Sequence, residues 1–311
     1  MLQRDAFGQA LIEAGEILPR LIVVDADNGT ATRTSGFAEH FPERFFNVGV
    51  AEQNLIGVSV GLALCGNRVV ACTFAAFLCG RAFEMIRNCV ALNRASVVLV
   101  GTHAGISVGK DGATHFATED IALMRCLPNI RVVVPADNHQ VRQLLVDVLM
   151  DDVPTYFRIS RWGSPEVSPV PLPLVLGRGV LLEEGDECCV IATGLMVHAA
   201  LSARKILELI GIRCAVAEIH TIKPLDESFI LYLAEKYKRL VIAEEHSMYG
   251  GLFGAITELL AEQLPTSCIP VGLRDTFAES GTEVDLFRQY GLTAEHIVRA
   301  VRKSLGDGNF S

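Results

Sequence analysis

The chain has 311 residues, half of them hydrophobic, with a mean hydropathy of +0.35 and a formal net charge of −9. That length implies about two domains and a substantial core, and an acidic balance without a basic stripe or block argues against nucleic-acid binding. No uninterrupted apolar run reaches the roughly 18 residues of a membrane span, and nine cysteines without CxxC pairs read as reduced thiols, with neither disulfides nor a zinc or other metal site.

The N-terminal stretch MLQRDAFGQALIEAGEILPR mixes Arg4, Asp5, Glu13 and Glu16 into apolar positions. This is the pattern of an amphipathic helix and not of a secretory signal, so a cytoplasmic location is expected. Apolar strand-like runs follow at Leu21 to Val24, Arg68 to Cys72, Ser96 to Val100, Arg131 to Val134 and Thr155 to Ile159. Helical patterns lie between most of them, which predicts an α/β fold with a doubly wound parallel sheet. Within this half, the segment from Phe46 to Asn54 sets Glu52 where a strand gives way to an apolar helix, Leu55 to Leu64. Its carboxylate either points into a buried crevice or occupies a first helical turn, where acids suit the dipole.

Pro165, Pro169, Pro171 and Pro173 then crowd a span too short for a regular element, which reads as a linker. A second alternation has strands at Cys188 to Ala192, Arg213 to Ile219, Leu240 to Ala243 and Cys268 to Val271. Its helices are expected at Val197 to Ile210, Ser228 to Tyr237, Gly250 to Gln263 and Ala294 to Leu305. The expected organisation is therefore two doubly wound domains, residues 1–163 and 177–311, joined by a linker over 164–176. In the first, Asp25 and Asp27, Thr73 and Phe74, His103, and Asp137 and His139 each follow a predicted strand. Ligands of open parallel sheets gather beyond the strands' carboxyl ends, so these residues are expected at one crevice.

Four segments of this half carry a family resemblance: FFNVGVAEQNLIGVSVGLAL from Phe45, the run Cys72 to Phe77 with its continuation Gly80 to Arg87, the glycine-rich Gly101 to His115, and Tyr156 to Arg161. Together they resemble the pyrimidine-binding domain of transketolases, and IHTIKPLD from Ile219 and EEHSMYGGLFGAITELL from Glu244 resemble the C-terminal domain of the same family. The resemblance implies thiamine diphosphate as cofactor, with Glu52 facing its aminopyrimidine ring, Phe74 and Phe77 forming the ring's pocket, and Asp27 alongside. An acid at that ring nitrogen promotes the tautomer whose amine takes the thiazolium proton, and burial of a carboxyl favours its protonated form. The resemblance further implies that His103 and Arg161 hold a substrate phosphate, Asp111 a substrate hydroxyl, and His115, with Glu52 the catalytic pair, the oxygen on the reacting carbon. Lys110 departs from the family, which usually has glutamate there.

Thiamine enzymes hold the diphosphate through a divalent cation on a GDG segment with an asparagine further on. The one GDG here, Gly306-Asp307-Gly308, lies three residues from the end and does not match that motif. The expected partner is therefore an N-terminal transketolase subunit carrying the GDG motif and the metal, Mg or Ca, in a dimer of heterodimers. The implied reaction moves a two-carbon ketol unit from a ketose phosphate to an aldose phosphate. The alternatives are a 1-deoxyxylulose-5-phosphate synthase-like enzyme, the beta subunit of a 2-oxo acid dehydrogenase, or a non-enzymatic scaffold homologue.

Overall fold

The structure, a computed structural model, describes residues 2–306 except Trp162, Ser164, Pro169 and Val170; Pro169 of the linker and Asp307 and Gly308 of the GDG segment lie outside the described residues. In the first half, β1 (Leu21–Asp25), β2 (Phe45–Asn47), β3 (Arg68–Phe74), β4 (Val97–Thr102), β5 (Arg131–Val133) and β6 (Thr155–Arg158) run parallel. The second half supplies β7 (Val180–Glu183), β8 (Cys188–Ala192), β9 (Cys214–Glu218), β10 (Thr221–Lys223), β11 (Arg239–Ser247) and β12 (Ser267–Leu273). The first sheet is ordered β10-β5-β6-β4-β3-β1-β2 and the second β12-β11-β8-β9-β7.

β4 reads Val-Val-Leu-Val-Gly-Thr and is buried along its length. Continuous apolar strands of this kind arise where helices cover both faces of a parallel sheet. One cover is the helix Gln3–Ile17, which buries Phe7, Ala10, Leu11 and Ala14 at helical spacing against Val141, Leu144, Leu145 and Val148 of the helix Asn138–Leu149.

Each sheet ends on one antiparallel strand, β10 on β5 and β7 on β9, so neither is purely parallel. β10 belongs to the second half by chain position yet completes the first sheet. Without it, β5 would present a row of unpaired backbone groups, and the pairing ties the halves together before β11 begins. Buried charges reinforce this seam. Asp120 accepts hydrogen bonds from Tyr156 Oη at 2.6 Å and Arg158 Nε at 2.7 Å, while Arg158 Nη2 donates to the Glu245 carbonyl at 2.9 Å. Burial works against the charge on Arg158, but Asp120 and Glu245 beside it more than offset that and hold its pKa above the ordinary arginine value. Glu245 and His246 are buried at this seam.

Candidate active site

Parallel strands put the loops after β1, β2, β3 and β4 on one rim of the first sheet. The helix Glu52–Leu64 begins there, and its first residue, Glu52, has no exposed side-chain surface. A solvent-facing acid in a first turn is thereby excluded. Glu52 Oε2 accepts from Arg81 Nη1 at 2.7 Å, and Oε1 is buried with no hydrogen-bond partner. A buried carboxylate oxygen left unpaired is costly, which marks a position shaped for a donor.

Arg81 leads from Glu52 to a ring cluster. Its guanidinium lies 5.0 Å over the Phe77 ring, Phe77 is stacked on Phe74 at 6.3 Å, and His115 meets Phe77 edge-on at 5.2 Å. Phe74 is the last residue of β3 and Phe77 sits in the helix Ala75–Arg81. Both are half-buried, where an ordinary core pair would be closed off. The cluster continues through Phe74 to His103, whose ring centroid is 4.1 Å away. Glu52, Arg81, Phe77, Phe74, His115 and His103 thus form one connected wall.

His103 takes a left-handed backbone, φ 56°, directly after β4, and its side chain is buried. Burial, with Arg4, Arg161 and His115 adding to it, pushes its imidazole down to about 3. The ring is therefore neutral at pH 7. Arg4 Nη1 lies 3.5 Å from Nε2; since arginine only donates, Nε2 accepts, and the proton sits on Nδ1, 3.0 Å from Thr102 Oγ1. The loop that follows turns at Gly105, φ 76°, where a Cβ would come within 2.1 Å of Glu245 Oε1. A side chain there would push the loop off the seam. Farther along it, Asp111 faces Arg161 at 3.6 Å, and Arg161 Nη1 donates to the Val108 carbonyl. Lys110 is exposed at the tip.

Arg4 is a site residue that the sequence pattern hides, because an arginine on an amphipathic helix explains itself as a polar-face residue. Its Nε is buried and unpartnered, and burial with the nearby Arg33 and Arg161 holds its pKa below the ordinary arginine value. Cations gathered against their own repulsion leave room for an anion. Asp27 is exposed, accepts from Asn47 Nδ2 at 2.8 Å, and lines a shallow cavity of about 360 Å³ with Asn28, Thr30 and Asn47. Asp25 is fully buried and accepts from Thr34, Thr32 and the Asn28 backbone, which fixes the loop after β1.

Asp137 and His139 do not join the crevice. The sheet order puts β5 two strands away from β4. There Asp137 caps the helix Asn138–Leu149 and accepts from Val167 N, and His139 faces Glu166 at 2.9 Å.

The wall fits an aromatic heterocycle. Two half-buried phenyl rings offer faces for stacking, and the unpartnered Glu52 oxygen suits a ring nitrogen. Among the described residues no three His, Cys, Asp or Glu are grouped to hold a metal ion.

The profile described as "Transketolase, pyrimidine binding domain" matches residues 1–164, and "Transketolase, C-terminal domain" matches residues 177–297. A Methanocaldococcus jannaschii protein whose name refers to a transketolase C-terminal section is 40% identical over 306 residues, covering 97% of this chain and 96% of that protein. The 6-deoxy-6-sulfo-D-fructose transketolase subunit SqwH of a Clostridium species is 36% identical over 307 residues, covering 99% and 95%. Among solved structures, one titled "Split gene transketolase, inactive beta4 tetramer" superposes with a TM-score of 0.92 at 44% identity, covering 98% of this chain and 99% of that one. The chain belongs to the transketolase family and carries that family's pyrimidine-binding and C-terminal domains.

Proposed function

We propose that this chain is the C-terminal subunit of a thiamine diphosphate-dependent transketolase that moves a two-carbon ketol unit from a ketose phosphate to an aldose phosphate. The observation that carries the proposal is Glu52, wholly buried, with one oxygen held by Arg81 and the other unpartnered beside a stacked phenylalanine pair. The relatives matched over both chains' lengths are transketolase sections or subunits, which favours this reading over the synthase and dehydrogenase alternatives.

When bound, the cofactor supplies the nucleophilic thiazolium carbon. Glu52 Oε1 would hold the proton shared with the aminopyrimidine nitrogen, while Arg81 fixes the carboxyl through Oε2. Phe74 and Phe77 would hold the ring by one face and exclude water. His115, edge-on to both phenyl rings, is placed to exchange a proton with the oxygen on the reacting carbon. Arg4 and Arg161 would hold the substrate phosphate by charge-assisted hydrogen bonds, and the neutral His103 would orient Arg4 for it by accepting at Nε2. Asp111 would accept from a substrate hydroxyl. Asp27 is assigned to the cofactor's periphery.

This half-site needs a second chain. The helix Glu52–Leu64 is apolar nearly all round, yet Gln53, Asn54, Gly57, Gly61 and Leu64 are exposed, Leu64 at 73%. Helices of that composition are normally buried, so this face is assigned to an N-terminal transketolase subunit that brings the GDG motif, the diphosphate site and the metal, Mg or Ca. A dimer of such pairs is the proposed assembly. The tetramer of the matched split-gene structure is called inactive in its title, which supports a partner requirement. The domain limits proposed are 1–163 and 177–311, supported by family matches that stop at 164 and resume at 177. Nine free thiols fit a reducing, cytoplasmic setting.

The test is Glu52→Gln in the assembled enzyme. Turnover of ketose phosphate should fall by at least about a hundredfold, the loss typical of an acid–base group. Near-normal turnover with correct assembly refutes the assignment.

A further inference from the structure

Away from the active site, a cavity of about 440 Å³ opens in the second half between the outer rim of β12 and the helix Ala294–Leu305. β12 ends the second sheet, so no further strand covers that rim among the described residues. Arg299 and Lys303 stand four residues apart on one helix face, and Arg274 approaches from the loop after β12. His296, Gln289 and Tyr290 complete the polar lining.

The cavity lining contains three permanent cations and no carboxylate. Among the described residues none of the three forms an ion pair, whereas Arg33, Arg125, Arg131, Arg204 and Arg213 each face an Asp or Glu. In a chain of net charge −9, such a gathering is not a by-product of composition. Self-repulsion disfavours it unless an anion intervenes.

The neutral groups suit the same ligand. Thr293 Oγ1 occupies His296 Nδ1 at 2.9 Å, which leaves the Nε2 edge for a ligand. Tyr290 Oη accepts from the Glu279 backbone N–H at 3.1 Å and so keeps its own proton to donate. Glu279, exposed at the rim, is engaged by Gln289 Nε2 at 2.6 Å. The volume is that of a small-molecule site, and arginine's planar fork with a lysine point charge is the usual recognition set for phosphate.

The cavity also has a mechanical link to the active site. Gln289 ends the short helix Glu283–Gln289, and the other end of that segment packs on the glycine-rich loop. A Cβ on Gly112, φ 78°, would lie 2.4 Å from Ser280 Oγ, and one on Gly109 would lie 3.2 Å from Glu283 Oε1. A ligand in the cavity therefore sits one short helix away from Asp111 and His115.

We propose that this cavity binds a small phosphorylated anion at a site separate from the one formed by Arg4, His103 and Arg161. The test is calorimetric titration of inorganic pyrophosphate into the full chain, the R299Q/K303Q variant and the R4Q/R161Q variant. Binding should weaken at least about tenfold in R299Q/K303Q, the loss expected for charge-assisted contacts, and should persist in R4Q/R161Q. Both substituted positions in the first variant are exposed, so its thermal unfolding should match the parent; if it does not, the single variants R299Q and K303Q are read instead, and each should weaken binding. Unchanged affinity in the 299/303 variants, loss confined to R4Q/R161Q, or no binding at millimolar pyrophosphate overturns the proposal.

Discussion

Replacing Arg4 with glutamine removes a guanidinium that lies 3.5 Å from His103 Nε2 and whose buried Nε has no partner. If Arg4 holds the substrate phosphate, the loss is that of one charge-assisted contact, about 1.5–3 kcal/mol, or about tenfold to a hundredfold in affinity. Arg161 remains, so the lower end, about tenfold, is expected in KM for a ketose phosphate, with kcat little changed because uniform binding alone is removed. Steady-state kinetics of the assembled enzyme with a phosphorylated donor and its unphosphorylated counterpart would show the rise only for the former. A second readout separates electrostatics from packing. Burial first and Arg4 next hold His103 down at about 3, so in Arg4→Gln its NMR titration should move upward. Equal losses for both donors, or an unmoved His103 titration, would refute the reasoning.

Two further outcomes concern buried charge. Burial holds the Glu218 carboxyl at about 8, against the pull of the Gln140 Nε2 hydrogen bond at 2.9 Å. The folded pKa is raised above the ordinary 4.5, so its contribution to stability is complete below about pH 4.5 and is lost as pH rises toward 8. Glu218→Gln should match the parent below that window and gain on it by on the order of 1.4 kcal/mol per pH unit across it; parallel urea-unfolding stabilities between pH 4.5 and 8 would contradict this. Asp120→Asn leaves Arg158 buried without its carboxylate and should cost about 3–5 kcal/mol in the same assay. A cost below about 1 kcal/mol, the scale of an exposed pair, would mean that the seam is held by apolar packing instead.

Long, strongly patterned elements were legible in the sequence. The strand Cys188–Ala192 and the helix Ala294–Leu305 fall where the apolar run and the helical spacing put them. The edge strands β10 and β7 were not, because both take antiparallel positions dictated by their neighbours in the sheet. The crevice was legible in part. Phe74 ends β3 and His103 directly follows its neighbour β4, so strand pairing brought them close. Asp137 and His139 follow a strand as well, but sheet order, which no local pattern encodes, moves them away. Arg4 and Arg81 were missed as site residues for a related reason: each sits on a helix whose local pattern accounts for it, and only tertiary packing sets one against His103 and the other against Glu52.

The central claim is that this chain supplies one wall of a thiamine site and a partner supplies the other. Calorimetry with thiamine diphosphate and Mg tests it directly. The account predicts no tight binding by the purified chain, and tight, saturable binding once the N-terminal subunit is added. Tight binding by the chain alone would contradict it.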